Sequence, residues 1–158
     1  MQETEWKQNL LSDDDAIRDL LISTKSIAVL GIKPETHSNQ PAFYVPKYLC
    51  DAGFEIIPVP VYYPEVTEIF GKKVIRHLHD LPAGIDLVNI FRRSRDINIH
   101  TEDLLHLKPK AVWFQLGIRN DRVAESLAMA GIKVVQDLCI MVEHSTLLRG
   151  SSGAFRSS

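Results

Sequence analysis

Two segments of the chain carry residue types that bind phosphate groups. One places three arginines directly after an apolar run, in residues 91–95, and guanidinium groups suit phosphates and flat ring faces. The other begins at Gly31, which ends a second apolar run, and a glycine lets backbone approach a phosphate closely. The residues that we predict to contact a phosphate-bearing ligand here are Gly31, Ile32, Lys33, Ser38, Asn39, Phe91, Arg92 and Arg93.

Each segment also has a simpler explanation. Gly31 alone is what an ordinary strand-to-loop junction requires, and arginines at 92–95 suit a solvated helix start with surface ion pairs. The dinucleotide fingerprint needs three glycines, whereas residues 31–36 contain one, and the first acid after the second predicted strand is Glu65. The sequence therefore disfavours NAD(P) and favours another phosphate-bearing nucleotide cofactor.

An amide follows a third apolar run. Gln115 stands at the end of that run and Gly117 comes two residues later. We include both in the predicted cofactor site, because an amide at a strand end can read a ligand. The same amide can instead cap a loop. Trp113 and Phe114, just before it, are predicted core residues.

Cysteine and histidine offer no complete catalytic set. Cys139, near a predicted helix start, is a candidate redox thiol because a helix N-terminus favours the thiolate, although a small buried residue is the commoner role. His77 and His79 have no convincing third ligand, so no metal site is predicted. The chain also lacks a nucleophile elbow, a P-loop lysine and paired acids. We predict no catalytic residue, and an enzyme is the less favoured class.

These residues can form one binding site only if the fold places the ends of their apolar runs at the same edge of a sheet. Helical patterns alternate with short apolar runs, which predicts an α/β, Rossmann-like, doubly wound and mostly parallel sheet with helices on both faces. Ligands bind such sheets beyond the carboxyl ends of the strands, where strand order reverses. The predicted sheet has five or six strands, drawn from 26–30, 54–59, 74–75, 85–91, 111–115 and 132–135.

Helix signals separate these strands. Ser12 is the predicted cap of the first helix, and Asn120 or Asp121 that of the fourth. Pro46 must lie in the first turn of its helix or kink it. The predicted helices cover 12–24, 41–53, 101–107, 120–131 and 140–148.

Composition limits the class of protein. The 158 residues are 45% hydrophobic and 24% charged, with a net charge of -2, which predicts one domain over 1–148 with no general attraction to nucleic acid or membranes. Cys50 and Cys139 form no CxxC pair, and the N-terminus has no signal or transit pattern, which predicts a cytoplasmic setting. The Ser- and Gly-rich tail, 149–158, is predicted to be disordered. The predicted partner is a small-molecule nucleotide cofactor, and a homodimer is left open.

Taken in order, several segments resemble the small stand-alone CoA-binding proteins. That family is similar in fold to the CoA-binding domain of the succinyl-CoA synthetase alpha subunit. The resemblance covers about 17–148. It rests on 26–31, the helix at 41–49, 53–59, 86–93, 111–120 and 137–144.

The resemblance implies a Rossmann-like fold with a cleft for coenzyme A. Gly31 and its loop would hold the pyrophosphate region, with Ser38 lying over it. Phe91 and Arg92 would close the cleft, and the end of the second strand would pass beside the adenosine. The site residues that the resemblance adds are Pro41, Val59 and Pro60.

Three positions depart from the family's pattern. Arginine commonly stands where this chain has Gln40 and Leu138, and Asn-Pro is frequent where it has Pro60-Val61. Two positive charges and one polar side chain are therefore missing, which predicts weaker affinity for coenzyme A. The alternatives are a thiol-redox or acyl-CoA accessory enzyme that uses Cys139, and an NAD(P)-binding or ligand-free interaction module with an occluded cleft.

Overall fold

One parallel sheet lies at the centre of the computed structural model, which describes residues 4–149. The chain forms β1 (Ser26–Leu30), β2 (Glu55–Val59), β3 (Glu68–Ile69), β4 (Lys72–Lys73), β5 (Leu87–Ile90), β6 (Ala111–Phe114) and β7 (Lys133–Val135). The five-stranded sheet has the order β2-β1-β5-β6-β7, so strand order reverses between β1 and β5. The predicted doubly wound sheet is confirmed. The predicted disordered tail lies outside the described residues, apart from the backbone of Arg149.

The predicted strand at 74–75 is wrong, because a separate antiparallel hairpin of β3 and β4 ends just before it. The hairpin turns at Phe70 and Gly71, which both have positive φ, 56° and 74°. A two-residue turn of this kind has the twist that joins antiparallel strands. Ile75 follows the hairpin, and its N–H donates to the carbonyl of Pro58 at 2.9 Å.

Helices cover both faces of the sheet. They are α1 (Asp14–Ser23), α2 (Pro41–Asp51), α3 (Thr101–Leu107), α4 (Asp121–Met129) and α5 (Ile140–His144), which continues as a π-helical turn, Ser145–Arg149. The predicted Ser12 cap is wrong, since the carboxylate of Asp13 accepts from the N–H of Ala16 at 3.2 Å. Asn120 caps α4, as one of the two predicted alternatives had it, by accepting from the N–H of Val123 at 3.1 Å.

Pro46 lies inside α2 rather than in its first turn. Proline lacks the N–H that would bind the carbonyl of Ala42, four residues earlier. That carbonyl accepts instead from the N–H of Lys33 at 3.1 Å. The proline therefore leaves an acceptor that ties the start of α2 to the loop after β1.

Buried apolar side chains fill both interfaces between the sheet and its helices. The face under α3 and α4 includes Ile90, Leu104, Phe114 and Leu127. The face under α1, α2 and α5 includes Leu21, Leu49, Trp113 and Ile140. Trp113 and Phe114 are thus core residues, as predicted. Within residues 4–149, no helix has the length and apolar character needed to cross a membrane.

Asp86 links the amino ends of β1 and β5 through hydrogen bonds. Its carboxylate accepts from the N–H groups of Lys25 at 2.8 Å and Ser26 at 3.1 Å, and Lys110 Nζ lies 3.3 Å away. Burial raises the pKa of Asp86, but these hydrogen bonds and the Lys110 charge together lower it below 3.8. We expect Asp86→Ala to lower the free energy of unfolding by about 2 kcal/mol at pH 7.

This contribution depends on pH with a defined sign. Because the pKa of Asp86 is lower in the folded chain than in the unfolded chain, its stabilisation is complete above the unfolded value and disappears as pH falls through the folded value. Chemical denaturation at pH 7 and pH 2 should show a smaller difference between variant and wild type at pH 2. Asp19→Ala, at an exposed position on α1, is the control. Equal losses at both pH values would contradict the role of the charge.

Candidate functional site

A cleft of about 460 Å³ opens at the carboxyl ends of β1, β5 and β6, where strand order reverses. The predicted residues that line it are Gly31, Lys33, Pro41, Phe91, Arg92, Arg93, Gln115 and Gly117. The lining also includes Gln40, which the sequence analysis named only as a position of missing charge, and four residues that the site prediction omitted, Ala42, Ser94, Leu116 and Ile118. Each omitted residue is a direct neighbour of a predicted one. Their position beside the glycines, arginines and proline was the signal that could have found them.

Gly31 ends β1 at a place where only glycine fits. Its φ is +90°, and a Cβ built on it would lie 2.3 Å from the carbonyl oxygen of Phe91. The sheet fixes both neighbours, because the Phe91 N–H donates to Leu30 O at 2.8 Å and the Gly31 N–H donates to Val59 O at 2.9 Å. Gly31 is therefore a close-packing position between β1 and the segment after β5.

Three cationic side chains line the cleft, and they differ in their partners. Lys33 donates from Nζ to Oε1 of Gln40. Arg93 is exposed and pairs with Asp96 at 2.9 Å. The Nε of Arg92 is buried and has no hydrogen-bond partner among the described residues. Because an unpaired buried donor costs free energy, Arg92 is the cation best placed to gain from an anionic ligand.

The positive charge of Arg92 affects the pKa of His100, the last residue of the 3₁₀ helix Ser94–His100. Burial lowers the pKa of His100, and the positive Arg92 lowers it further against the opposing effects of Asp103 and Asp96. Its Nε2 is also buried without a hydrogen-bond partner in the part of the chain that the structure describes. The positive charge of Arg92 therefore acts on His100, a residue outside the cleft lining.

The N-terminus of α2, which is the positive end of its helix dipole, faces the cleft. Gln40, Pro41 and Ala42 all line it. Gln40 occupies the N-cap position, and its own side chain makes no cap hydrogen bond. A helix N-terminus favours a bound anion through its backbone N–H groups and dipole. Together with Arg92, it gives the cleft two separate sources of positive potential.

Gln115 holds the floor of the cleft in place. Its Oε1 accepts from Nδ2 of Asn89 and from the N–H of Ile140, both at 3.3 Å, and the residue is 4% exposed. The Ile140 N–H begins α5, so Gln115 caps that helix. The amide oxygen thus has partners within the fold, in a helix and a strand rather than in the loop that the alternative expected, and ligand contact by Gln115 stays a prediction.

Residues 116–118 form the wall of the cleft beyond β6. The Gly117 N–H donates to Oδ1 of Asp137 at 2.7 Å, and the Ile118 N–H donates to the carbonyl of Gln115 at 2.9 Å. Leu116 precedes these two residues and is 65% exposed. The rim is therefore apolar on this side, in contrast to the cationic side near Arg92.

The remaining predicted site residues do not line the cleft. Ile32 and Val59 pack in the core, and Pro60 is buried. Ser38 and Asn39 are exposed on the turn before α2. Closeness to a strand end in the sequence does not fix which way a side chain points, and these residues point into the core or out to solvent.

Cysteine and histidine lie elsewhere in the fold. Cys139 occupies the N-cap position of α5, is half-buried and does not line the cleft. His144 is buried at the end of α5, with Nδ1 2.9 Å from the hydroxyl of Tyr48. His77 and His79 stack at 5.0 Å, and residues 4–149 contain no group of three side chains able to hold a metal ion.

Comparison with known proteins identifies a family. A family model described as CoA binding domain matches residues 25–145. The uncharacterized protein YneT of Bacillus subtilis (strain 168) is 36% identical over 131 residues, which are 82% of this chain and 92% of that protein.

Solved structures share the fold. The cell-free ID.343 protein of Thermus thermophilus is 37% identical with a TM-score of 0.79, over 87% of this chain and 100% of that one. A hypothetical protein of Pyrococcus horikoshii OT3 is 29% identical with a TM-score of 0.76, over 94% and 99%. At 20% identity, a dinucleotide-forming acetyl-coenzyme A synthetase of Ca. Korarchaeum cryptofilum has a TM-score of 0.59, over 77% of this chain and 27% of that one.

Proposed function

Because the chain belongs to the CoA binding domain family, we propose that it binds coenzyme A, or a related adenine nucleotide, in the cleft at the carboxyl ends of β1, β5 and β6. The observation that carries the proposal is the Nε of Arg92, buried without a hydrogen-bond partner among residues 4–149, in a cleft that the N-terminus of α2 also lines. The pyrophosphate of coenzyme A needs donors and positive potential of this kind.

The phosphates belong on the β1 side of the cleft. Gly31 lines this side of the cleft, and its close packing on the Phe91 carbonyl sets the spacing between β1 and the segment that carries Arg92. Arg92 supplies charged N–H donors, and one of them is already desolvated. Lys33 adds a second charge when its ammonium leaves Gln40 for the ligand. These residues bind and orient the ligand, and none of them transfers a proton in the proposal.

The thiol arm belongs on the β6 side. The pantetheine arm of coenzyme A is uncharged, and Leu116 and Ile118 give that end of the cleft an apolar lining. Gln115 keeps the floor beneath it fixed through Asn89 and α5. The ligand would therefore run across the strand ends, from its phosphates near β1 to its arm near β6.

We propose binding without catalysis. None of the described residues that line the cleft is an acid, a histidine or a cysteine. The redox alternative needs Cys139 near the ligand, whereas this thiol starts α5 outside the lining. The ligand-free alternative needs an occluded cleft, and the open cleft that Gly31 and Phe91 both line counts against it.

Isothermal titration calorimetry with coenzyme A, ADP and NAD⁺ tests the proposal. We expect saturable binding with coenzyme A the tightest, because only coenzyme A supplies both the pyrophosphate and the arm. NAD⁺ should be weakest, because the second strand is followed by no acid before Glu65 to hold the ribose hydroxyls. No saturation by any ligand at millimolar concentration would overturn the proposal, and tightest binding of NAD⁺ would replace it with the dinucleotide alternative.

A further inference from the structure

His100 lies outside the cleft lining but belongs to a segment that begins in the cleft. It ends the 3₁₀ helix whose first residue, Ser94, lines the cleft, and it directly precedes α3. His100 is half-buried, and its Nε2 is shielded from solvent without a hydrogen-bond partner among residues 4–149. Arg92, two residues before this helix, has a buried Nε of the same kind. One short segment therefore carries two buried nitrogens whose hydrogen-bonding capacity the described part of the chain leaves unused.

Three charges act on His100. Arg92 favours the neutral imidazole, whereas Asp103 on α3 and Asp96 on the 3₁₀ helix favour the protonated one. Burial and the Arg92 charge together outweigh the two acids, so the pKa of His100 lies below its ordinary value. In the free protein, His100 is therefore neutral over a wider pH range than an exposed histidine.

The other charges near this segment are paired or exposed. The 3₁₀ helix Leu78–Asp80 packs on α3, and the loop after β6 donates a backbone N–H to Ser94. Arg95 and Glu102 are exposed to solvent, which screens their charges. The neighbouring ion pairs are Arg93 with Asp96 at 2.9 Å, His79 with Asp103 at 3.4 Å, His79 with Asp80 at 3.8 Å, and Arg119 with Asp121 at 3.1 Å. Of the three charges that act on His100, Arg92 is the one that lines the cleft.

A phosphate beside Arg92 changes the balance of charge at His100. Its negative charge opposes that of the guanidinium, and partly buried charges are screened less than those at the surface. We propose that ligand binding in the cleft is coupled to protonation of His100, so that the affinity for phosphate-bearing ligands rises as the pH falls. The inference rests on the proposed function and adds a means of regulating the same site.

The sign of the pH dependence follows from linkage. A ligand that favours protonated His100 must bind the protonated protein more tightly, by the same factor. The affinity is constant above the pKa of His100 in the complex, rises as the pH falls through that value, and is constant again below the pKa in the free protein. Each binding event between the two values takes up a fraction of a proton.

Calorimetry with dephospho-coenzyme A tests the coupling, because coenzyme A itself carries a phosphomonoester that titrates near pH 6. We expect the wild type to bind about fivefold more tightly at pH 5.5 than at pH 8, at the low end of the usual range of coupling between sites. Buffers of different ionisation enthalpy report the proton uptake. His100→Asn should lose this dependence, and His106→Asn, at an exposed position on α3, should keep it.

NMR titration of the His100 ring in the wild type gives a second measurement that needs no variant. Its pKa should be higher in the complex than in the free protein. An unchanged pKa, or a pH dependence that persists in folded His100→Asn, would overturn the coupling. Failure of the wild type to bind the ligand at either pH, with circular dichroism showing a folded chain, would instead overturn the proposed function.

Discussion

Gly31→Ala is expected to lower the free energy of unfolding by about 3 kcal/mol, and to abolish coenzyme A binding in the protein that remains folded. The new Cβ would lie 2.3 Å from the carbonyl oxygen of Phe91. Neither backbone can move away freely, because the Phe91 N–H donates to Leu30 across the same junction. Relief of the contact must push β1 and the segment after β5 apart at the place where the phosphates are proposed to bind.

Gly53→Ala is the matched control for this effect. Gly53 also has a positive φ, +104°, but a Cβ built there meets no atom within 4 Å. It therefore carries only the cost of the backbone conformation, about 1–2 kcal/mol, and should leave coenzyme A affinity unchanged. Urea denaturation and calorimetry of both variants give the comparison. Equal destabilisation of the two variants would contradict the role of the close contact at Gly31.

Arg92→Met is expected to weaken coenzyme A binding about 30-fold or more, because truncation of a buried charged donor costs about 2–5 kcal/mol of binding free energy. The same change should leave the free energy of unfolding equal or slightly higher, since it removes a buried Nε that has no partner within residues 4–149. It should also raise the pKa of His100, because the positive charge of Arg92 helps to lower that value. Calorimetry, denaturation and NMR titration of the His100 ring measure the three effects.

Two other arginine variants serve as comparisons for the loss of coenzyme A affinity in Arg92→Met. Arg93→Met removes a cleft cation that Asp96 already pairs, so its effect on affinity should be smaller. Arg122→Met changes an exposed arginine of α4 outside the cleft lining, and should have almost no effect. Equal losses from all three variants would show that only net charge matters. A large loss of stability in Arg92→Met would show that the side chain serves the fold rather than a ligand.

The architecture could be predicted because its signals are local. Apolar runs that end in Gly31 and before Arg92 alternate with helical patterns, and that alternation has few solutions other than a parallel sheet with helices on both faces. Strand order places these two ends next to each other, as expected for a reversal between β1 and β5. The position of the cleft follows from that order.

The orientation and partners of individual side chains could not be predicted, because they depend on contacts distant in the sequence. Arg92 and Arg93 adjoin in the sequence, yet the buried Nε of Arg92 has no partner in the part of the chain that the structure describes, whereas Arg93 is paired with Asp96. Gln115 was open to two roles; its bond to the N–H of Ile140, 25 residues away, shows that it caps α5, and its contact with a ligand stays a prediction. Arg76 donates to the carbonyl of Tyr63 in the loop after β2, and no local sequence pattern links these two residues.

The most direct test of the central claim is amide chemical-shift mapping by NMR of this 17.9 kDa chain with coenzyme A. Binding in the cleft predicts the largest shifts at Gly31, Ala42, Arg92 and Gly117. Perturbations confined to other hollows, such as the groove beside Trp6 and Glu125, would contradict the account, as would a spectrum unchanged by saturating coenzyme A.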